Sequence, residues 1–353
     1  MTNRDAETSG TGERSRPAHD SSAQKPERFR GRGRGGNREQ LQVPEAEFRS
    51  YYGRPIIKAP VWKNPDVPLY LFLGGMAATS AGLGALGGAT GRPTLRRTGR
   101  LAAAAGAAGG TVFLVHDLHR PTRFLHMLRV FKPTSPLSVG TWILSPFATV
   151  AAAAAASEVT GLLPRAGKAA STVSAVIGPA LGTYTAVLLS NTAVPTWHEA
   201  HRELPVVFAG SAAAAGGGMG LVGASVRDNL PAARLAVAGA AVELAAGEFM
   251  ERKLGLLGDV YGKGRAGTLM KASKACLAAG AVGAVLGRKK RWSAALSGLA
   301  LMAGSALTRF GVFDAGIASA NDPAHIVVPQ RERIRRRQAT TEEGAAPPDR
   351  AFA

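Results

Sequence analysis

Residues 68–89 read Pro68-Leu69-Tyr70-Leu71-Phe72-Leu73-Gly74-Gly75-Met76-Ala77-Ala78-Thr79-Ser80-Ala81-Gly82-Leu83-Gly84-Ala85-Leu86-Gly87-Gly88-Ala89, 22 consecutive positions without a charged side chain. A helix of about 20 such residues spans the roughly 30 Å of hydrocarbon in a bilayer. Seven further apolar stretches, none with more than two charged residues, follow at about 99–115, 137–157, 170–194, 204–226, 235–250, 272–287 and 292–313. Inside hydrocarbon no water satisfies the backbone, so an open segment there must be helical. The sequence therefore predicts an all-α fold, a polytopic membrane helix bundle of about eight transmembrane helices.

Bulk averages conceal this pattern. The 353 residues carry a formal net charge of +19, a sequence pI near 11.0 and a mean hydropathy of only +0.03. Such values describe a soluble nucleic-acid binder. They arise because polar ends are averaged with spans built from Ala and Gly rather than Leu and Ile. Four regions follow: a disordered basic tail over 1–50, an interfacial lead-in over 51–66, the transmembrane domain over 67–315 and a polar, disordered C-terminal tail over 316–353. The tail run Arg30-Gly31-Arg32-Gly33-Arg34-Gly35-Gly36 reads as a solvated or headgroup-facing arm rather than an RNA-binding element, and no nucleic-acid partner is expected. No removable signal peptide opens the chain, and the first apolar segment itself directs insertion. The single cysteine, Cys276, leaves no intrachain disulfide and no iron–sulfur cluster within this chain.

An even number of spans puts both termini on one side. Their basic residues place them in the cytoplasm and the chain in the cell membrane. Arg92, Arg96, Arg97 and Arg100, with Arg288, Lys289, Lys290 and Arg291, lie on the other side and weigh against that placement.

On the side of the tails, three loops hold most residues capable of chemistry. One contains His116, Asp117, His119, Arg120, Arg123 and His126. The second contains Trp197, His198, Glu199, His201 and Arg202. The third contains Glu251, Arg252, Lys253, Asp259 and Tyr261. Within the spans, Glu243 and Glu248 interrupt the sixth. A carboxylate at the bilayer centre costs roughly 3 kcal/mol and usually faces a polar interior. Glu243, near mid-span, is the candidate proton-path residue, set against a buried acid paired with Arg309. Glu158 reads as an end-of-helix residue. Gly216-Gly217-Gly218 reads as a packing face, since no strand precedes it and no Lys-Ser/Thr follows it.

Five stretches carry a resemblance to a known family. Leu69-Tyr70-Leu71-Phe72-Leu73-Gly74-Gly75-Met76-Ala77-Ala78 is similar to the opening helix of the NrfD/polysulphide-reductase membrane anchors. So are His116-Asp117-Leu118-His119-Arg120-Pro121 with Arg123-Phe124, and Phe131-Lys132-Pro133-Thr134-Ser135-Pro136-Leu137-Ser138-Val139-Gly140. Tyr184-Thr185-Ala186-Val187-Leu188-Leu189 and Val194-Pro195-Thr196-Trp197-His198 complete the likeness, which extends over about 60–320. The resemblance implies a quinone-reactive subunit without haem, binding menaquinone or menaquinol. It implies a four-cluster, ferredoxin-like iron–sulfur partner and a molybdopterin or other catalytic subunit, with no turnover by this chain alone. Such anaerobic respiratory complexes pass electrons between relay and quinone. The positions matching the family's quinone contacts are Tyr70, Asp117 (or its neighbour His116) and Tyr184; the family commonly has histidine where Tyr70 stands.

The residues support that chemistry independently. Quinol oxidation releases two protons with two electrons, so its site needs partners for two oxygens and a proton acceptor near water. A rim carboxylate beside an imidazole supplies one. Asp117 with His116 fits, against a surface ion pair of Asp117 with Arg120 or Arg123; Tyr184 fits the other oxygen, against simple packing. Arg120, Arg123, His198 and His201 are the candidate partner-docking residues. The i,i+3 pair His198 and His201 falls short of a metal site, and the histidines lie too close to helix ends for haem. The alternative function is a secondary transporter or proton-translocating module that uses Glu243 and Glu248.

Overall fold

The computed structural model describes residues 56–345, apart from Ala59 and His119. The Arg-Gly tail over 1–50, the start of the lead-in and residues 346–353 lie outside the described residues. Eight helices within the described residues are long and apolar enough to cross a membrane. We number the long helices α1 (Asp66–Ala89), α2 (Pro93–Asp117), α3 (Pro136–Thr160), α4 (Pro164–Ser190), α5 (Leu204–Gly223), α6 (Leu230–Lys253), α7 (Gly264–Leu286) and α8 (Arg291–Asn321), followed by α9 (Ala324–Ala345). No strand occurs among the described residues.

Local sequence sets the ends. Helices α2 to α6 each carry proline in the first two positions, where the missing N–H has no intrahelical role. Helix α3 stops at Gly161, which adopts φ 70° and sends its N–H to the Ser157 carbonyl. Several helices run past the apolar stretches: α2 begins six residues earlier, at Pro93, and α7 eight earlier, at Gly264. Helical hydrogen bonding continues through charged turns that stand outside the hydrocarbon. The C-terminal region departs most, because α8 extends to Asn321 and α9 is helical where a disordered polar tail is expected.

Each half of the helix set forms its own ring. In the first, α1 packs on α2, α2 on α3, α3 on α4, and α4 back on α1; in the second, α5 to α8 repeat the same order. Helix α5 joins them by packing on α1 and α4. Its three consecutive glycines explain how. Successive helical residues point about 100° apart, so each glycine meets a different neighbour. A Cβ would lie 2.0 Å from Thr79 Oγ1 at Gly216, 2.6 Å from Ala236 N at Gly217 and 2.7 Å from Gly298 O at Gly218. Backbones thus approach at the centre of the molecule as small residues permit.

All three polar loops and the described part of the lead-in gather at the rim where α1 begins. Trp197, fully buried, holds the loop between α4 and α5. Its indole N–H donates to Val312 O at 2.8 Å, and its ring stacks on Trp62 with centroids 5.6 Å apart. At the opposite rim, Glu158 accepts from Arg96 at 2.9 and 3.0 Å and from Arg100 at 2.9 Å, tying α2 to α3. It does more than end a helix.

Candidate functional site

Helix α1 enters the bundle beside the end of α2, which brings four ionisable groups together at the rim. Asp117 Oδ1 accepts the Lys63 backbone N–H at 2.8 Å, and Lys63 Nζ donates to His116 O at 2.7 Å. His116 does not turn to its chain neighbour. Its Nδ1 lies 2.6 Å from Asp66 Oδ2. Asp66 is 5 % exposed, whereas the His116 side chain is 71 % exposed. The carboxylate–imidazole pair therefore forms with Asp66, a residue sequence reasoning passed over. Its one local signal is its place four residues before Tyr70, one turn away on the same face. Neither Arg120 nor Asp117 forms an ion pair with the other; Arg120 is exposed, and the Arg123 side chain lies outside the described residues.

About 6 Å further along α1, Tyr70 is buried at 3 % exposure. Its ring faces Gly110 of α2, and its phenol has no hydrogen-bond partner among the described residues. Tyr184 of α4, also buried, lies within electrostatic reach of Tyr70. The Tyr184 hydroxyl donates to the Pro136 carbonyl at the start of α3. Gly140 makes room for that ring, because a Cβ there would sit 2.0 Å from Tyr184 Cζ. With its proton so engaged, the Tyr184 oxygen can accept a hydrogen bond but has no second proton to donate. The first ring thus holds a free phenol beneath an exposed imidazole whose far nitrogen is held by a buried carboxylate. That arrangement can take a proton at His116 Nε2 and donate one hydrogen bond from Tyr70.

Glu243 belongs to the other ring. It is 3 % exposed and faces Ser211 of α5 with Thr308 and Arg309 of α8. Arg309, fully buried, donates from Nη2 to Phe208 O at 3.0 Å, with its guanidinium 3.6 Å from the Phe208 ring centroid. Ser211 pairs with Ser305 at 2.7 Å and Ser273 with Thr308 at 2.6 Å. All four helices of this ring contribute a polar side chain. Glu248, by contrast, is at the rim, paired with Arg252 at 3.0 Å and Lys274 at 3.3 Å.

The docking candidates share the tail-side rim. His198 Nδ1 lies 3.2 Å from Ser190 O and His201 Nδ1 lies 3.0 Å from His198 O, so each ring turns one nitrogen to the backbone. No group of three or more His, Cys, Asp or Glu able to hold a metal occurs among the described residues. A cavity of about 320 Å³ separates this loop from α9, lined by His198, Glu199, His325 and Arg333, and Arg333 pairs with Glu199 at 3.2 Å. Nearby, burial pushes the Tyr261 phenol up from its ordinary pKa, so it stays protonated at this rim.

A family profile described as polysulphide reductase, NrfD, matches residues 58–237, just over half of the chain. The match takes in the lead-in from residue 58, the whole first ring, α5 and the start of α6. No curated protein matches the chain.

Proposed function

This chain belongs to the polysulphide reductase NrfD family of membrane-anchor, quinone-reactive oxidoreductase subunits, and we propose that it binds menaquinol and passes its electrons to an iron–sulfur partner docked on the tail-side rim. The observation that supports this reading is the 2.6 Å Asp66–His116 contact one turn from the unpartnered Tyr70 phenol. Its donor set fits a quinone head: one hydrogen-bond donor in a buried setting and one proton acceptor open to water.

When quinol is oxidised, two electrons leave for the partner and two protons leave the ring oxygens. His116 Nε2 takes one proton while Asp66 stabilises the resulting imidazolium through Nδ1–H. Tyr70 donates a hydrogen bond to the other oxygen, and Asp117 beside Lys63 takes that oxygen's proton and releases it to water. Arg120 and Arg123, with His198 and His201, lie on the face that meets the partner. The catalytic subunit lies beyond that relay, so this chain alone shows no turnover. Basic residues flanking the spans on the tail side support a cytoplasmic position for that face. Cleavage of either tail by protease added to intact cells would reverse that assignment.

The decisive experiment uses the intact complex carrying Asp117→Asn. The amide still accepts the Lys63 N–H but cannot take a proton. Quinone-linked activity should be lost while activity with an artificial dye persists, and menaquinone should co-purify with the wild type. Unchanged quinone-linked rates remove Asp117 from the path; absence of any quinone in the extract removes the reading itself.

The second ring favours one further role. Glu243, buried beside Ser211, Thr308 and Arg309 with neither carboxylate oxygen hydrogen-bonded among the described residues, carries a proton through the bundle in this reading. Proton release measured in vesicles during quinol oxidation, with and without Glu243→Gln, separates an anchor that only conducts electrons from one that also translocates protons.

A further inference from the structure

The seam between the two rings opens to lipid as an apolar groove of about 370 Å³. It follows α1 from Ala78 to Leu86 and is closed by Gly178 and Pro179 of α4 and by Pro231 and Leu235 of α6. Eight residues of helix make it about 12 Å long. Its hydroxyls are already engaged, Thr79 with Ala212 O at 2.6 Å and Thr183 with Pro179 O at 2.8 Å. What remains for an occupant is hydrocarbon.

Leu86 and Pro231 put the mouth of the groove at the rim opposite the tails, where cations gather. Lys168 stands seven residues before Ala175, on the same face of α4, and Arg234 stands three after Pro231 on α6. Arg92 Nη1 donates to Arg227 O at 3.3 Å, joining the α1–α2 turn to the α5–α6 connection. Lys168, Arg227 and Arg234 are exposed and have no side-chain partner among the described residues, and Arg92 Nε is buried without one. The one acid in these turns, Asp228, directs Oδ2 to the backbone N–H and hydroxyl of Thr94 at 2.9 and 2.5 Å. It leaves the surrounding cations unneutralised.

We infer that this seam is a binding site for an anionic phospholipid, its acyl chain in the groove and its phosphodiester among Arg92, Lys168, Arg227 and Arg234. Charge complementarity selects the occupant. A neutral lipid fills the groove equally well but leaves the cations without counter-charge, and lipid-exposed Lys and Arg at an interface attract anionic headgroups. Pairing with a headgroup across the seam clamps the two rings together. The inference needs only that the helices span a membrane; it is independent of any quinone chemistry.

The test uses the purified full chain, stripped of lipid in detergent and returned to nanodiscs of phosphatidylcholine alone or with added phosphatidylglycerol. Phosphatidylglycerol should raise the unfolding midpoint by about 3 °C or more over phosphatidylcholine, and inorganic phosphate should not. Lys168→Ala with Arg234→Ala should abolish the difference. Gly82→Leu fills the groove from a position where a Cβ meets nothing within 4 Å, and it should abolish retention of phosphatidylglycerol seen by native mass spectrometry while leaving the cations in place. Equal midpoints in both lipids, an undiminished difference in the double variant, or recovery of quinone rather than phospholipid as the species lost in Gly82→Leu each overturn the proposal.

Discussion

Asp66 in the first turn of α1 holds His116 in the last turn of α2, Oδ2 to Nδ1, at 2.6 Å. One partner is buried and the other stands open to solvent, so the pair reaches from the protein interior to the rim. Asp66→Asn keeps an acceptor for Nδ1–H but removes the charge that stabilises the imidazolium. General acid–base groups contribute about 10²–10⁴-fold. Quinone-linked turnover of the complex is therefore expected to fall at least about 100-fold, with dye-linked turnover unchanged. A variant retaining full quinone-linked activity would show that His116 accepts no proton.

Tyr70 and Tyr184 are both buried phenols, yet their deletions should behave oppositely. Tyr70 has no protein partner for its hydroxyl among the described residues, so Tyr70→Phe should leave the unfolding midpoint where it is. Losing one neutral hydrogen bond to the quinone, about 1 kcal/mol, should raise KM for quinol about fivefold. Tyr184→Phe orphans the Pro136 carbonyl at the head of α3, and should lower the midpoint. A lowered midpoint in Tyr70→Phe would mark that phenol as a structural group and take it out of the site.

The spans were legible because absence of charge over 20 residues is a local signal, readable one segment at a time. The ring order was not, because which helix neighbours which is settled by contacts such as Gly217 on Ala236, invisible to composition. The same limit applied at the site. Asp117 beside His116 in sequence suggested a pair, but helical neighbours point about 100° apart. The partner came instead from Asp66, fifty residues earlier. Glu243 and Arg309 were legible as buried charges; the serines and threonine around them, drawn from three helices, were not.

Glu243 and Arg309 supply a third prediction. Both are buried and interact electrostatically with no hydrogen bond between them, so removing one leaves the other less compensated, at a cost of up to about 3–5 kcal/mol. Glu243→Gln alone should therefore destabilise the detergent-solubilised protein sharply. Glu243→Gln with Arg309→Met should recover most of the loss, since neither charge then remains. Full recovery of stability without recovery of proton release in vesicles would give Glu243 a transport role beyond packing. If the single variant is as stable as the wild type, the two groups do not interact.

Gly217 tests the seam between α5 and α6 directly. A Cβ there would meet the Ala236 backbone nitrogen at 2.6 Å and the Ala232 carbonyl oxygen at 2.7 Å. Neither atom can rotate away as a side chain would. The single methyl of Gly217→Ala must therefore push two backbones apart, and overpacking of this kind costs about 1–3 kcal/mol. Gly247, in the interior of α6, has nothing within 4 Å of its would-be Cβ. There Ala should gain up to about 1 kcal/mol from helix propensity. The two variants share one chemical change and differ only in what stands opposite. Unfolding midpoints in the same detergent should thus move in opposite directions, down for Gly217→Ala and up or unchanged for Gly247→Ala. Equal shifts would mean that α5 and α6 do not meet at Gly217, and the ring of α5 to α8 would then need a different order.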